Sequence, residues 1–107
     1  MASLVNPVIV NNGASSPYGN GVATIIEGLF PPSTASVDVL VGELNSQDYV
    51  EVVQLGTEAS FAGFVYDHAN STFDSLGGTG LAHIICGAGG NSPGDAILIQ
   101  VRVFRNP

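Results

Sequence analysis

The sequence predicts an all-β fold, a compact antiparallel sandwich or jelly roll of about seven strands with an extended N-terminal segment. Three observations point there. Val, Ile and Thr recur in short runs with a period of two, the spacing that sends successive side chains to opposite faces of a strand. Turn formers punctuate those runs, with 14 Gly and 6 Pro among 107 residues. No stretch holds apolar residues at helical spacing over three turns. Short strands broken so often by turns belong to sandwiches and jelly rolls.

The elements follow in chain order. Residues 4–11 read as a strand with Pro7 inside it; a proline removes a ladder donor, so this strand sits at an edge or forms a loose arm. Residues 12–21, rich in Asn, Gly, Ser and Pro, are a loop. Residues 1–20 are therefore taken as an arm or edge strand with its loop, and 21–107 as the sandwich, one domain overall. Residues 21–27 form a second strand ended by Gly28, and Phe30-Pro31-Pro32 a stiff extended connection. Residues 35–42 are a third strand, with Val37, Val39 and Val41 on one face and Asp38 and Leu40 on the other. A turn at 43–47 leads to a strand at 48–55. Its inward set changes from Val50 and Val52 to Val53 and Leu55, which calls for a bulge or bend.

Residues 58–67 are a fifth strand. Residues 68–80 are the longest irregular stretch, with one helical turn near 71–75. A sixth strand at 80–87, a Gly-rich turn at 87–94 and a last strand at 95–105 complete the chain. The last three strands are apolar on both faces. A sandwich strand needs only one apolar face, so something is expected to cover the second: the 68–80 loop, or another subunit.

Charge sharpens this. The chain has nine acidic residues, two arginines and no lysine, a net charge of −7. That excludes a phosphate-neutralising nucleic-acid surface and docking on an anionic membrane. It also removes the lysines that usually guard sheet edges. Interfaces, by contrast, are poor in Lys and enriched in Arg and aromatic residues. Arg102 and Arg105, with Phe104, Phe64 and Tyr66, are the candidate interface residues; either arginine alternatively pairs with an acid of its own chain. The N-terminus has no basic and apolar signal-peptide pattern, and no apolar run is long enough to span a bilayer as a helix.

Catalytic and metal constellations are absent from the sequence. Serines lie in no nucleophile elbow, His68 reads as a solvated loop residue, and His83 as a core or interface histidine with a hydrogen-bond partner. A non-enzymatic protein without cofactors is expected. Cys86 has no disulfide partner, and with two histidines it falls short of a four-ligand zinc cage. Asp67, Asn70 and Asp74 supply hard oxygens on one loop, a weak calcium pattern without EF-hand spacing. The two Gly-rich segments lack the lysine and following helix of a phosphate loop. Tyr18, in the Ser15-Ser16-Pro17-Tyr18-Gly19 loop, is the one tyrosine outside a strand and the candidate stacking ring for a sugar.

Taken whole, the short all-β chain, its extended N-terminal segment, its neutral polar loops and its lack of a catalytic constellation resemble the small decoration or cement proteins of tailed-bacteriophage heads. No single motif carries the likeness. It implies a homo-oligomer, often a trimer, made in the host cytoplasm and seated on the virion surface, where it reinforces contacts between major capsid subunits. The alternative is a glycan- or ligand-binding β-sandwich module of a larger surface assembly, with Tyr18 as its ring. A composite active site between chains is a third possibility.

Overall fold

The computed structural model describes residues 2–12, 22–55, 63–87 and 90–104. Among these described residues are seven strands: β1 (Val5–Asn12), β2 (Val22–Phe30), β3 (Ser36–Gly42), β4 (Tyr49–Gln54), β5 (Phe64–Tyr66), β6 (Gly80–Cys86) and β7 (Ile97–Phe104). They form two antiparallel sheets. One has four strands in the order β1-β2-β7-β4, the other three in the order β3-β6-β5. The fold is an all-β sandwich.

Alternation builds the core. Val37, Val39 and Val41 of β3 and Ala82, Ile84 and Cys86 of β6 face inward from the small sheet. Ile97, Ile99, Val101 and Val103 of β7 meet them from the large one. Phe30, Ile84, Ile99, Val101 and Val103 are fully buried. Burying each such side chain contributes about 1.5–3 kcal/mol. The Cys86 thiol lies in this core and donates to the Thr34 carbonyl at 3.3 Å; burial pushes its pKa up.

Several elements differ from the sequence reading. β2 runs through Gly28 to Phe30 rather than stopping at Gly28. Gly28 faces inward beneath the buried Leu4, where a Cβ would stand 3.1 Å from Leu4 Cβ and 3.3 Å from Pro7 Cα. The glycine serves close approach there, not termination. β4 has no bulge: it pairs with β7 in unbroken register from Tyr49↔Phe104 to Gln54↔Ile99. Val53 and Leu55 simply lie on the outer face, and the change of apolar phase reflects two apolar faces. The irregularities fall in β1 instead, between Val5 and Val8 and between Ile9 and Asn11. Asn6, at φ 51°, takes the left-handed turn at the first of these.

The helical turn is a 3-10 turn at His68–Asn70, not near 71–75. Asp67 fixes it: Asn70 Nδ2 donates to Asp67 Oδ2 at 2.7 Å, and Ser71 Oγ to the Asp67 carbonyl at 2.9 Å. Beyond it, Thr72 exchanges backbone hydrogen bonds with Leu81, at 2.9 Å each way, and Asp74 with Leu44. Thr72 thus adds to the edge of the three-stranded sheet, and Asp74 ties the segment to the turn after β3. The fifth strand is described only at Phe64–Tyr66, since residues 56–62 lie outside the described set.

The crossing from β2 to β3 is tied to the segment before β7 through one serine. Buried Ser92 donates from Oγ to the Pro31 carbonyl at 2.6 Å and accepts the Thr34 amide at 2.9 Å. On the other flank, the Ala2 carbonyl accepts the Asp38 amide of β3 at 2.9 Å. The N-terminal residues therefore start beside the edge of one sheet and cross to the edge of the other, with Leu4 buried at the crossing.

Candidate functional site

The outer face of the four-stranded sheet is built from the residues that alternate with the core set. Leu29 stands beside Leu98 in the β2–β7 register, and the Leu55 amide continues the row by donating to the Leu98 carbonyl at 2.8 Å. Val53 pairs across from Gln100. At the other end Tyr49 and Phe104 pair with ring centroids 5.6 Å apart. Between these apolar ends Arg102 donates from Nε to Gln100 Oε1 at 2.6 Å and from Nη1 to Glu51 Oε1 at 3.2 Å. Tyr49 is 61% exposed and Leu55 40%, and among the described residues no element lies over this face. It is apolar at both ends, and its centre holds Arg102 with Glu51 and, across from Gln100, a second acid, Glu27.

Sequence-predicted interface residues separate by face. Phe104 and Arg102 are on this outer surface. The Arg102 ion pair is with its own chain, so Arg102 is not left free to reach an acidic patch on a neighbour. Phe64 and Tyr66 are on the inner face instead. Phe64 meets Phe30 at 4.5 Å between centroids, and both residues pack against the core. Two residues of one strand at positions i and i+2 share a face, and here that face is the core side. Outward Val65, 49% exposed, takes the place the sequence reading gave to its neighbours. Arg105 and Tyr18 lie outside the described residues.

The calcium trio is not gathered. Asn70 presents its amide nitrogen to Asp67, a donor where a cation would need an acceptor. Asp74 turns its carboxylate into its own loop. It accepts from the Thr79 hydroxyl at 2.6 Å and from the amides of Thr79 at 3.1 Å, Gly77 at 2.8 Å and Leu76 at 3.4 Å. These bonds, led by the Thr79 hydroxyl, hold the Asp74 pKa below its ordinary value. Among the described residues no group of three His, Cys, Asp or Glu is placed to hold a metal.

Both histidines are engaged. His83 lies on the outer face of the small sheet, with Nδ1 2.8 Å from Asp38 Oδ1, so that nitrogen carries the proton. His68 is exposed but not merely solvated. Its Nε2 donates to the Ser46 carbonyl at 2.8 Å, and its ring sits between those of Tyr66 and Phe73. Together with the Leu44–Asp74 pairing, it fastens the 43–48 turn to the 71–76 segment. Between them lies a polar hollow of about 410 Å³ lined by Asn45, Ser46, Gln47, Phe73 and Ser75.

The second hollow is apolar. It runs between β1 and β3, about 440 Å³ in volume, with Leu4, Pro7, Ile9, Ile26, Leu40 and Leu81 on its walls. A smaller extension shares Ile9, Ile26 and Leu40 and reaches Thr24 and Gly78. Thr24 is buried there, and among the described residues its hydroxyl has no hydrogen-bond partner. Sequence reasoning missed this groove. The only local signal was Pro7, which marks an edge but says nothing of which strand lies opposite. Comparison with known families, with curated proteins and with solved structures finds no match for this chain.

Proposed function

We propose that this chain is a non-enzymatic structural protein that works as one of several identical copies, of the kind that decorates and cements a tailed-bacteriophage capsid. The outer face of the four-stranded sheet, bare among the described residues, carries the reading. A soluble monomer rarely leaves so broad an apolar face bare. On a chain of net charge −7, copies repel wherever acids are unpaired. This face lowers that cost, because Arg102 answers Glu51, one of the two acids at its centre. A second copy presenting the same face is the partner it fits. The likeness to decoration proteins, which pack in multiple copies on a virion surface, agrees with such a subunit, and the major capsid protein is then the further partner.

Sedimentation velocity tests it. The wild-type chain is expected to sediment as an oligomer, and Leu98→Glu, which sets a carboxylate in the middle of the leucine row, as a monomer. Leu55→Glu, at the sheet margin, gives the same result with less strain on the fold. A monomeric wild type at high concentration, or an unchanged oligomer in both variants, overturns the reading.

The polar hollow favours a second reading, a glycan-binding module. Phe73 is 37% exposed and offers a ring face beside Asn45, Gln47 and two serines, the mixture of platform and hydrogen-bonding groups that a neutral sugar requires. This places the candidate ring at Phe73, where the sequence reading had Tyr18.

A further inference from the structure

Ahead of Asn6 the chain is held at three points. Leu4 is buried over Gly28, the Ala2 carbonyl accepts the Asp38 amide at 2.9 Å, and Val5 pairs with Leu29. Leu4 is flanked by exposed residues on both sides, Ala2 and Ser3 before it and Val5, Asn6 and Pro7 after it. A bulge sets this arrangement. Val5 pairs with Leu29 and Val8 with Glu27, so β1 carries one extra residue between them. Successive strand residues face opposite ways, and the extra residue is what turns Leu4 toward the core. Asn6 lies in this bulge at φ 51°, in the left-handed region. Asn6 also precedes Pro7, and a residue before proline prefers an extended backbone. Local preference and observed conformation therefore oppose each other at one exposed residue. An extended Asn6 would remove the bulge and carry Leu4 off its seat.

We propose that residues 2–5 are an exchangeable strap: hinged at Asn6–Pro7, they leave their own seat and fill the same seat on a second copy. The seat selects that occupant. A Cβ on Gly28 would stand 3.1 Å from Leu4 Cβ and 3.2 Å from Leu4 Cδ1, so the surface is shaped to this leucine. The Asp38 amide meets the carbonyl two residues before it. A second copy carries the same segment, and its strap makes the same three contacts in trans. The hinge is then free to take the extended form that a residue before proline favours, and the strain at Asn6 is released. A short hinge under strain is the setting in which identical elements swap between copies. In dilute solution the strap's own seat wins through its high effective concentration, and exchange grows where copies are crowded together. It needs a neighbour within reach, not contact through the outer face of the four-stranded sheet.

Cross-linking between copies tests it. Ser3 and Leu40 line one hollow beside the seat, and both are exposed. Ser3→Cys and Leu40→Cys proteins are mixed at high concentration with a short bismaleimide; native Cys86 is buried and stays out of the reaction. Each copy has only one of the two new thiols, so a heterodimer records a strap seated in trans. The control receiver is Val65→Cys, whose position is 49% exposed on the outer face of the small sheet. The Ser3–Leu40 pair is expected to give about tenfold more heterodimer than the control. The hinge should tune that yield. Asn6→Gly in both copies holds a positive φ without strain and should lower it about threefold, while Asn6→Val resists the left-handed region and should raise it about threefold. Asn6 is exposed, so both variants keep the fold. No excess over the control, or an excess indifferent to Asn6, overturns the proposal. The series is repeated in the Leu98→Glu background. An Asn6-dependent product that persists there separates the strap from the sheet face, and a product that disappears with Leu98→Glu assigns the contact to the sheet face and overturns the exchange.

Discussion

The two lateral sides of the sandwich are made from similar residues and end differently. Where β4 faces β5, Val52, Phe64 and Tyr66 fold inward and pack against the core, with Phe64 against Phe30. Where β1 faces β3, Ile9 and Leu40 remain 60% and 57% exposed and a groove stays open between them. Among the described residues, Leu4, seated over Gly28, and the Ala2–Asp38 hydrogen bond bridge that side. An apolar strand residue is thus core or exposed surface according to whether an aromatic side chain reaches across from the opposite sheet. The closed side contributes packing to the fold, and the open side leaves its apolar residues at the surface.

Truncation breaks this comparison most severely. Phe30→Ala removes the ring that Phe64 packs on and should cost about 3–5 kcal/mol, while Ile9→Ala on the open side should change the stability of the isolated chain by no more than about 0.5 kcal/mol. Urea unfolding of dilute protein measures both. A loss at Ile9 as large as that at Phe30 would mean that the two sides are equally built into the core.

A smaller effect sharpens the picture of the turn at residues 74–79, whose Gly78 borders the open side. Because the Asp74 pKa is lowered in the folded chain, its hydrogen bonds hold the turn fully above the ordinary aspartate value of about 3.9 and release it as pH falls through the lower folded value. The protection of the Leu76, Gly77 and Thr79 amides, measured as exchange relative to the intrinsic rate at each pH, should therefore be full at neutral pH and lost only in acid. In Asp74→Asn it should be lower at neutral pH, and the difference from wild type should vanish in strong acid. Protection that is already lost well above pH 4 would show that the carboxylate does not hold the turn.

Much of the fold was legible because period-two alternation is a local property. Val37, Val39 and Val41 were assigned to one face of a strand, and they are core. The edge position of β1 could be read from Pro7, and the pairing of His83 from its place between apolar neighbours. The failures have a common cause. Gly28 looked like a terminator because its reason for being glycine, the approach of Leu4, comes from a distant part of the chain. Val53 and Leu55 looked like a phase change because nothing local distinguishes an apolar residue that faces the core from one that faces outward. Phe64 and Tyr66 were expected at an interface for their residue type, and their contact with Phe30 and the core placed them inside. Asp74 was grouped with Asp67 and Asn70 by proximity in sequence, whereas its hydrogen bonds run forward to Thr79.

The sequence by itself determined that this chain is all-β, that it is strongly acidic with cations only near its end, and that its later strands are apolar on both faces. Those properties depend on residue type and on spacing of one or two positions, which the chain carries wherever it goes. Only the tertiary structure decided that Thr72 pairs with Leu81 and Asp74 with Leu44, that Arg102 answers Glu51, and that one flank of the sandwich is closed and the other open. Each of these depends on which strand lies beside or across from which, and residues far apart in the chain set that arrangement through packing.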